Sequence, residues 1–254
     1  MLEQIIVEWH FEPEDYFEDN FKIEYDEYDI QIRLGIAEAR IDPVHKDNVQ
    51  EIISQLSQDL ESRLLAVQVM THKNFKLSQP SRYDLKKDGT KNIYLQVEDM
   101  IMVSDLDPVD LIIHDKNGNV VSDTKQERIH KKKWFAETSA KYRDKDPNLN
   151  QMLKSYSSSV SDPNNELVHL YEIRDAVTKK FGNEEKARSK LNITKKKWKD
   201  FGLITSKKPL LQGRHRGANV GELRQAEASE LALVREIASK IVENYMIYLE
   251  NTND

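Results

Sequence analysis

The sequence predicts an α+β protein, in which a strand-rich antiparallel N-terminal domain is followed by an all-α helical C-terminal domain. Three observations predict it. Apolar and polar residues alternate through much of the first 36 positions. Apolar residues recur every three or four positions through 166–181 and again through 226–250. The charge changes sign near residue 124: residues 1–124 carry 12 Lys+Arg against 26 Asp+Glu, whereas residues 125–217 carry 23 against 11. Residues 218–254 return to 3 against 7. The boundaries that follow are an acidic α+β domain at 1–124, a basic helix or linker at 125–146 and a helical domain at 147–254.

Along the chain, Ile5, Val7 and Trp9 mark a first strand within 2–11, and an acidic connector follows at 12–20. Phe21, Ile23 and Tyr25, then Tyr28, Ile30, Ile32, Leu34 and Ile36, continue the alternation with a bend at Asp26-Glu27. Pro43 ends that pattern, and Val49, Ile52, Ile53, Leu56, Leu60 and Leu64 predict a helix over 46–65. Strands are predicted at 66–72, 75–85 and 92–103, with a turn at Asp88-Gly89. A further hairpin is predicted over 110–121, turning at Lys116-Asn117-Gly118.

Residues 147–160 predict a helix, and Asp162-Pro163 has the chemistry of a helix start, an acceptor followed by a residue suited to the first turn. Leu167, Leu170, Ile173, Val177 and Phe181 trace the next helix, which Gly182 stops. Short helices follow at 183–191 and 194–203, the second capped by Thr194, then a loop at 205–221 and a final helix at 226–250.

The chain of 254 residues has no cysteine, which excludes disulfides, a thiolate nucleophile and cysteine zinc sites. No apolar run approaches the roughly 20 residues that a membrane-spanning helix needs. The N-terminal segment lacks the basic and apolar regions of a signal peptide, so a cytoplasmic protein without membrane association is expected. The seven histidines are scattered, and neither phosphate-binding glycine loop is present; no cofactor and no metal are expected. Asp115–Asp123 offers alternating oxygen ligands, but its glycine stands fourth rather than sixth, so a hairpin turn explains it better than a calcium loop.

Two stretches carry candidate chemistry. Leu191–Phe201 has the composition of the turn and second helix of a helix-turn-helix, with Lys195, Lys196, Lys197 and Lys199 suited to phosphate. Its plain alternative is a solvated lysine face with Trp198 and Phe201 turned inward, and Ala187 stands one position from where that motif places its alanine. In Gln212–Gly217, Arg214 and Arg216 can grip a phosphate or carboxylate while His215 serves as general acid or base. Alternatively, these side chains pin the loop to Glu166, Glu172 and Asp175 on the preceding helix, beside Arg174.

The order of a helix reading Glu166–Ala176, a basic helical insert, Arg214-His215-Arg216-Gly217 and a final helix ending Tyr245-Met-Ile-Tyr248-Leu resembles the HEPN superfamily, in particular its ApeA-like prokaryotic branch. The resemblance covers about 150–250. It implies a helical, often dimeric module that binds RNA or nucleotide, in some members a metal-independent RNase of antiviral or stress systems. The Arg-x(4–6)-His motif of active members is absent from this region; the match from Arg40 to His45 lies in the strand-rich half and contains Pro43. A divergent RNase would hold phosphate with Arg214 and Arg216 and move a proton with His215. The residues leave two other readings open: a noncatalytic interaction subunit, dimeric through the final helix with Tyr245 and Tyr248, and a DNA-binding regulator using 183–201.

Overall fold

The computed structural model describes residues 2–25, 28–87, 91–94, 110–114, 116–117, 119–218 and 220–253. The fold is α+β, and the chain divides into two compact units, Met1–Leu64 with Phe75–Trp134 and Leu65–Asn74 with Phe135–Asp254.

In the first unit the strands are β1 (Leu2–Glu12), β2 (Phe21–Glu24), β3 (Tyr28–Arg33) and β4 (Ile36–Ile41), followed by helix α1 (Val49–Thr71). Then come β5 (Lys76–Leu77), β6 (Ser81–Lys86), β7 (Lys91–Tyr94), β8 (Ile112–His114) and β9 (Val120–Asp123). Among the described residues the main sheet runs β2-β3-β4-β1-β6-β7, all antiparallel, with β5 also on β1 and β8-β9 a separate hairpin.

Register builds the core. Trp9 stands opposite Ala37, which stands opposite Ile32; Val7 stands opposite Ala39, and Ala39 opposite Ile30. All six are essentially inaccessible, the alanines leaving room for the indole. The first part of α1 covers this face with Ile52, Ile53, Leu56 and Leu60, and Trp9 Nε1 donates to Ser57 Oγ at 3.0 Å.

The acidic connector is no mere spacer. Tyr16 and Phe17 are buried in it, and Glu18, at φ 62°, accepts a bidentate bond from Arg128, Nε to Oε1 at 2.9 Å and Nη2 to Oε2 at 2.6 Å. Lys132 Nζ donates to Glu18 and, at 3.0 Å, to the Tyr16 carbonyl, while Arg128 Nη1 also reaches Asp110 at 2.7 Å. Burial pushes the Glu18 carboxyl up, but the Arg128 and Lys132 bonds outweigh it and hold the carboxyl below its usual range.

The helices that follow are α2 (Thr124–Tyr142), α3 (Pro147–Ser161), α4 (Glu166–Phe181), α5 (Glu184–Lys190), α6 (Lys195–Gly202) and α7 (Ala228–Asn253). The second unit's core is drawn from α3 (Leu149, Met152, Leu153), α4 (Leu167, Leu170, Ile173, Val177) and α7 (Val234, Ile237, Ile241, Tyr245), all fully buried. Its caps follow the sequence: Asn183 Oδ1 accepts from Lys186 N at 2.9 Å, and Thr194 Oγ1 accepts from Lys197 N at 3.3 Å. Gly182 ends α4 in the left-handed conformation.

Several expectations are corrected. Residues 66–71 continue α1 rather than forming a strand; Leu65, Ala66, Val67 and Val69 are all buried, so packing overrides the β-branched local preference. The strand through Leu34 and Ile36 is two strands: the chain turns at Leu34-Gly35, with Gly35 at φ 70° and Leu34 62% exposed. The strand at 75–85 is broken into β5 and β6; of the two readings of 125–146, helix or linker, residues 125–142 take the helix. Asp162 does not cap α4 directly. A 3-10 turn at Pro163–Asn165 intervenes, and the Asp162 carboxylate accepts from the Asn165 amide at 2.7 Å. The turn at Asp88-Gly89, the strand beyond 94 and positions 115 and 118 of the last hairpin lie outside the described residues. Among the described residues no helix is long and apolar enough to cross a membrane.

Candidate functional site

The second unit brings most of the candidate residues together around α4. Tyr171 and Arg174 stand one turn apart on α4 and begin a ladder of alternating guanidinium and ring. The Arg214 guanidinium lies 4.5 Å from the Tyr171 ring centroid, the Arg174 guanidinium 5.5 Å from the same ring, and Arg174 again 4.9 Å from the Trp198 ring of α6. Trp198 is fully buried; the Arg214 side chain is 43% exposed, so the ladder runs from core to surface.

The loop before α7 is built, not loose. Arg214 N donates to the Thr205 carbonyl at 3.0 Å, and Leu211 N to the Arg224 carbonyl at 2.9 Å. Glu230, at the start of α7, accepts from Arg224 at 2.7 and 2.8 Å and from Lys208 at 2.7 Å. The Arg224 bonds hold the Glu230 carboxyl far below the usual carboxylate range. Glu230 was legible only as the start of a helix; an acid at that position is favoured by the helix dipole as well.

Each side chain of Arg214-His215-Arg216 has a partner. Arg214 Nη1 donates to Asp175 Oδ2 at 3.0 Å, and Arg216 donates to Asn165 Oδ1. His215 Nδ1 lies 2.7 Å from the Ser206 carbonyl oxygen and so carries the proton, which makes Nε2 the basic nitrogen. Of the three acids expected to hold this loop, only Asp175 does so. Glu172 accepts from Ser155 Oγ at 2.7 Å instead. Glu166, 1% exposed, is bound by both Arg235 Nε (2.6 Å) and Nη2 (2.8 Å). Arg174 donates to Glu184 at 3.0 Å, across to α5.

The lysines of α6 differ from the arginines. Lys197 pairs with Glu236 of α7 at 2.7 Å. Lys195, Lys196 and Lys199 are exposed, and among the described residues none of the three has an ion-pair partner. Residues 183–201 carry seven cationic side chains against three acidic ones.

A second cluster escaped the sequence altogether. His72, at φ 53°, lies 3.7 Å from Glu166 and packs its ring on Tyr156 with centroids 5.7 Å apart. Its Nδ1 is buried without a hydrogen-bond partner, and burial together with the nearby Arg235 charge lowers its pKa to about 4. No sequence spacing links residues 72, 156, 166 and 235; only the helix packing does. Tyr245, read from sequence as an interface residue, is instead buried, its hydroxyl donating to Asp146 at 3.0 Å and its ring beside Phe181 and Tyr248. Arg40 and His45 fall on β4 and a 3-10 turn in the first unit, where Arg40 bonds Glu38 at 2.8 Å. Among the described residues no group of three or more His, Cys, Asp or Glu side chains could hold a metal ion. Comparison of the chain with protein-family models, curated proteins and solved structures gave no match.

Proposed function

We propose that the helical unit is a cytoplasmic RNA-binding module, which grips single-stranded RNA through the exposed lysine face of α6 and does not cleave it. The observation that carries this reading is the contrast between the two basic elements: Arg214 and Arg216 are committed within the unit, whereas Lys195, Lys196 and Lys199 are exposed cations with no carboxylate among the described residues to neutralise them. Such ammonium groups suit a phosphate backbone, whose counterions they displace. The Arg214 guanidinium, stacked on Tyr171 and 43% exposed, adds a flat surface suited to an unpaired base. The choice of RNA, and of a defence or stress setting, follows the resemblance of 150–250 to the HEPN superfamily. Catalysis is left out because Arg214 is paired with Asp175 and Arg216 with Asn165, so neither guanidinium is free to hold a phosphate beside His215.

Binding of labelled single-stranded RNA across a salt series tests this, with Lys195→Gln/Lys196→Gln/Lys199→Gln beside Arg214→Ala. The reading expects salt-sensitive binding lost in the lysine variant. Equal binding by that variant would overturn it, and a preference for duplex DNA would favour a helix-turn-helix regulator instead.

A further inference from the structure

The turn that follows α6 inverts the usual burial of apolar and polar residues. The helical backbone continues through Leu203 and widens into a π turn, Leu203–Lys207, closed by Lys208 N donating to the Leu203 carbonyl at 2.9 Å. Within it Leu203 is 44% exposed, whereas Thr205 and Ser206 are buried, at 0% and 8%. Two polar residues turned inward beside a leucine left in water reverse the ordinary preference.

The inward pair has a structural task. Thr205 Oγ1 donates to the Phe201 carbonyl at 2.7 Å, and the Thr205 carbonyl accepts from Arg214 N at 3.0 Å. The Ser206 carbonyl holds His215 Nδ1 at 2.7 Å. The turn therefore carries the loop that presents Arg214. The exposed part of Leu203 buries nothing and adds nothing to folding.

A single exposed leucine is ordinary on a protein surface; the setting of this one is not. Lys195, Lys199 and Leu203 stand four residues apart along α6 and its continuation, a spacing that puts them on one helix face. Lys207 follows at the end of the turn and is exposed. Among the described residues Lys195, Lys199 and Lys207 have no ion-pair partner. An apolar side chain thus interrupts a row of ammonium groups. A single-stranded nucleic acid matches both chemistries, because its phosphates suit the lysines and the face of an unstacked base suits the leucine.

We infer that Leu203 seats an unpaired base: the strand whose phosphates the α6 lysines hold lays one base on the leucine, between Lys199 and Lys207. This rests on the RNA reading of the lysine face and adds an apolar contact to it. Such a contact strengthens binding without displacing counterions, so it separates from the lysines in the salt dependence.

Binding of a labelled oligouridylate by the full chain, across a salt series, tests it with Leu203→Gln and Leu203→Phe. Leu203→Gln should bind about fivefold more weakly at every salt concentration, as uncovering the exposed part of a leucine implies. The slope of its log affinity against log salt should match that of the parent. Leu203→Phe, with a larger flat face, should bind at least as tightly as the parent. Parent affinity in Leu203→Gln, a loss accompanied by a shallower slope, or Leu203→Phe as weak as Leu203→Gln would overturn the inference. Lys195→Gln/Lys196→Gln/Lys199→Gln separates the two failures. Binding that depends on the lysines but not on Leu203 sinks the inference and leaves the RNA reading, whereas no binding by the parent removes both. Circular dichroism and thermal unfolding check that the Leu203 variants, changed at an exposed side chain, keep the parent fold.

Discussion

A Cβ on Gly202 would stand 2.0 Å from Nη1 of Arg174, so the guanidinium fills the space that any side chain at 202 would need. Arg174 cannot step aside without cost, because it is held by Glu184 at 3.0 Å and stacked on Trp198. Gly202→Ala is therefore expected to destabilise the helical unit by about 1–3 kcal/mol, as overpacking does. Thermal unfolding followed at 222 nm reads it, and Gly202→Ala/Arg174→Ala should lose less than the two single changes together.

Replacing Lys195, Lys196 and Lys199 by glutamine should reduce the salt dependence of RNA binding as well as its strength. At roughly 0.7 per phosphate contact on a single strand, the slope of log affinity against log salt should fall by about 2. A slope unchanged by the substitution places the phosphate contacts elsewhere.

Arg235→Met leaves Glu166, 1% exposed, without either of its two guanidinium bonds. The expected loss is about 2–3 kcal/mol, below that of a fully buried pair because the Arg235 side chain stays 35% exposed. Adding Glu166→Gln should recover part of it, since no charge is then stranded. Chemical denaturation of the two variants makes the comparison.

His72 adds an acid limit of its own. Its pKa falls from 6.5 to about 4 on folding, so the unfolded chain takes the proton first as pH drops. The stability it contributes is complete above pH 6.5 and is lost progressively down to about pH 4. Melting temperature should therefore fall less steeply over that interval in His72→Gln, and identical slopes would remove the assignment.

Glu18 works in the same direction at lower pH, because its carboxyl is held below its usual 4.5. Its contribution is present above that value and disappears as the folded-state carboxyl protonates. Glu18→Gln should cost about 2–3 kcal/mol at neutral pH, the range of hydrogen bonds to charged groups. Urea unfolding at pH 7 and pH 3.5 should show the variant and the parent drawing together in acid.

Much of this architecture could be read directly. The first strand, the hairpin after residue 110, and the helices with their Thr194 cap and Gly182 stop all announce themselves through local chemistry. What stayed hidden was set by distant partners. Val67 and Val69 look like strand because a segment buried on all sides shows no helical stripe. The turn at Gly35 hides because the alternation continues across it while the buried parity shifts, from Ile30 and Ile32 to Ala37, Ala39 and Ile41. At the site, sequence named Arg214, His215 and Arg216 but not the partners of the last two, Ser206 and Asn165. The His72–Tyr156–Glu166–Arg235 group joins the residue after α1 to α3, α4 and α7, and nothing local marks it.

The tie between Glu18 and the pair Arg128 and Lys132 spans 110 and 114 residues. At a synthesis rate of about 5–20 residues per second, the glutamate waits on the order of 5–20 s for the first of its cations to be made. During translation Phe17 can meet its ring partners Phe11 and Phe21 early, but the neighbouring Glu18 has no cation to hold it, and β1 cannot pair with β6 until residue 81 has been added. This tie must close late, by docking an early segment against a helix made long after it, and a nascent chain halted before residue 128 would leave the Glu18 carboxylate without either cation.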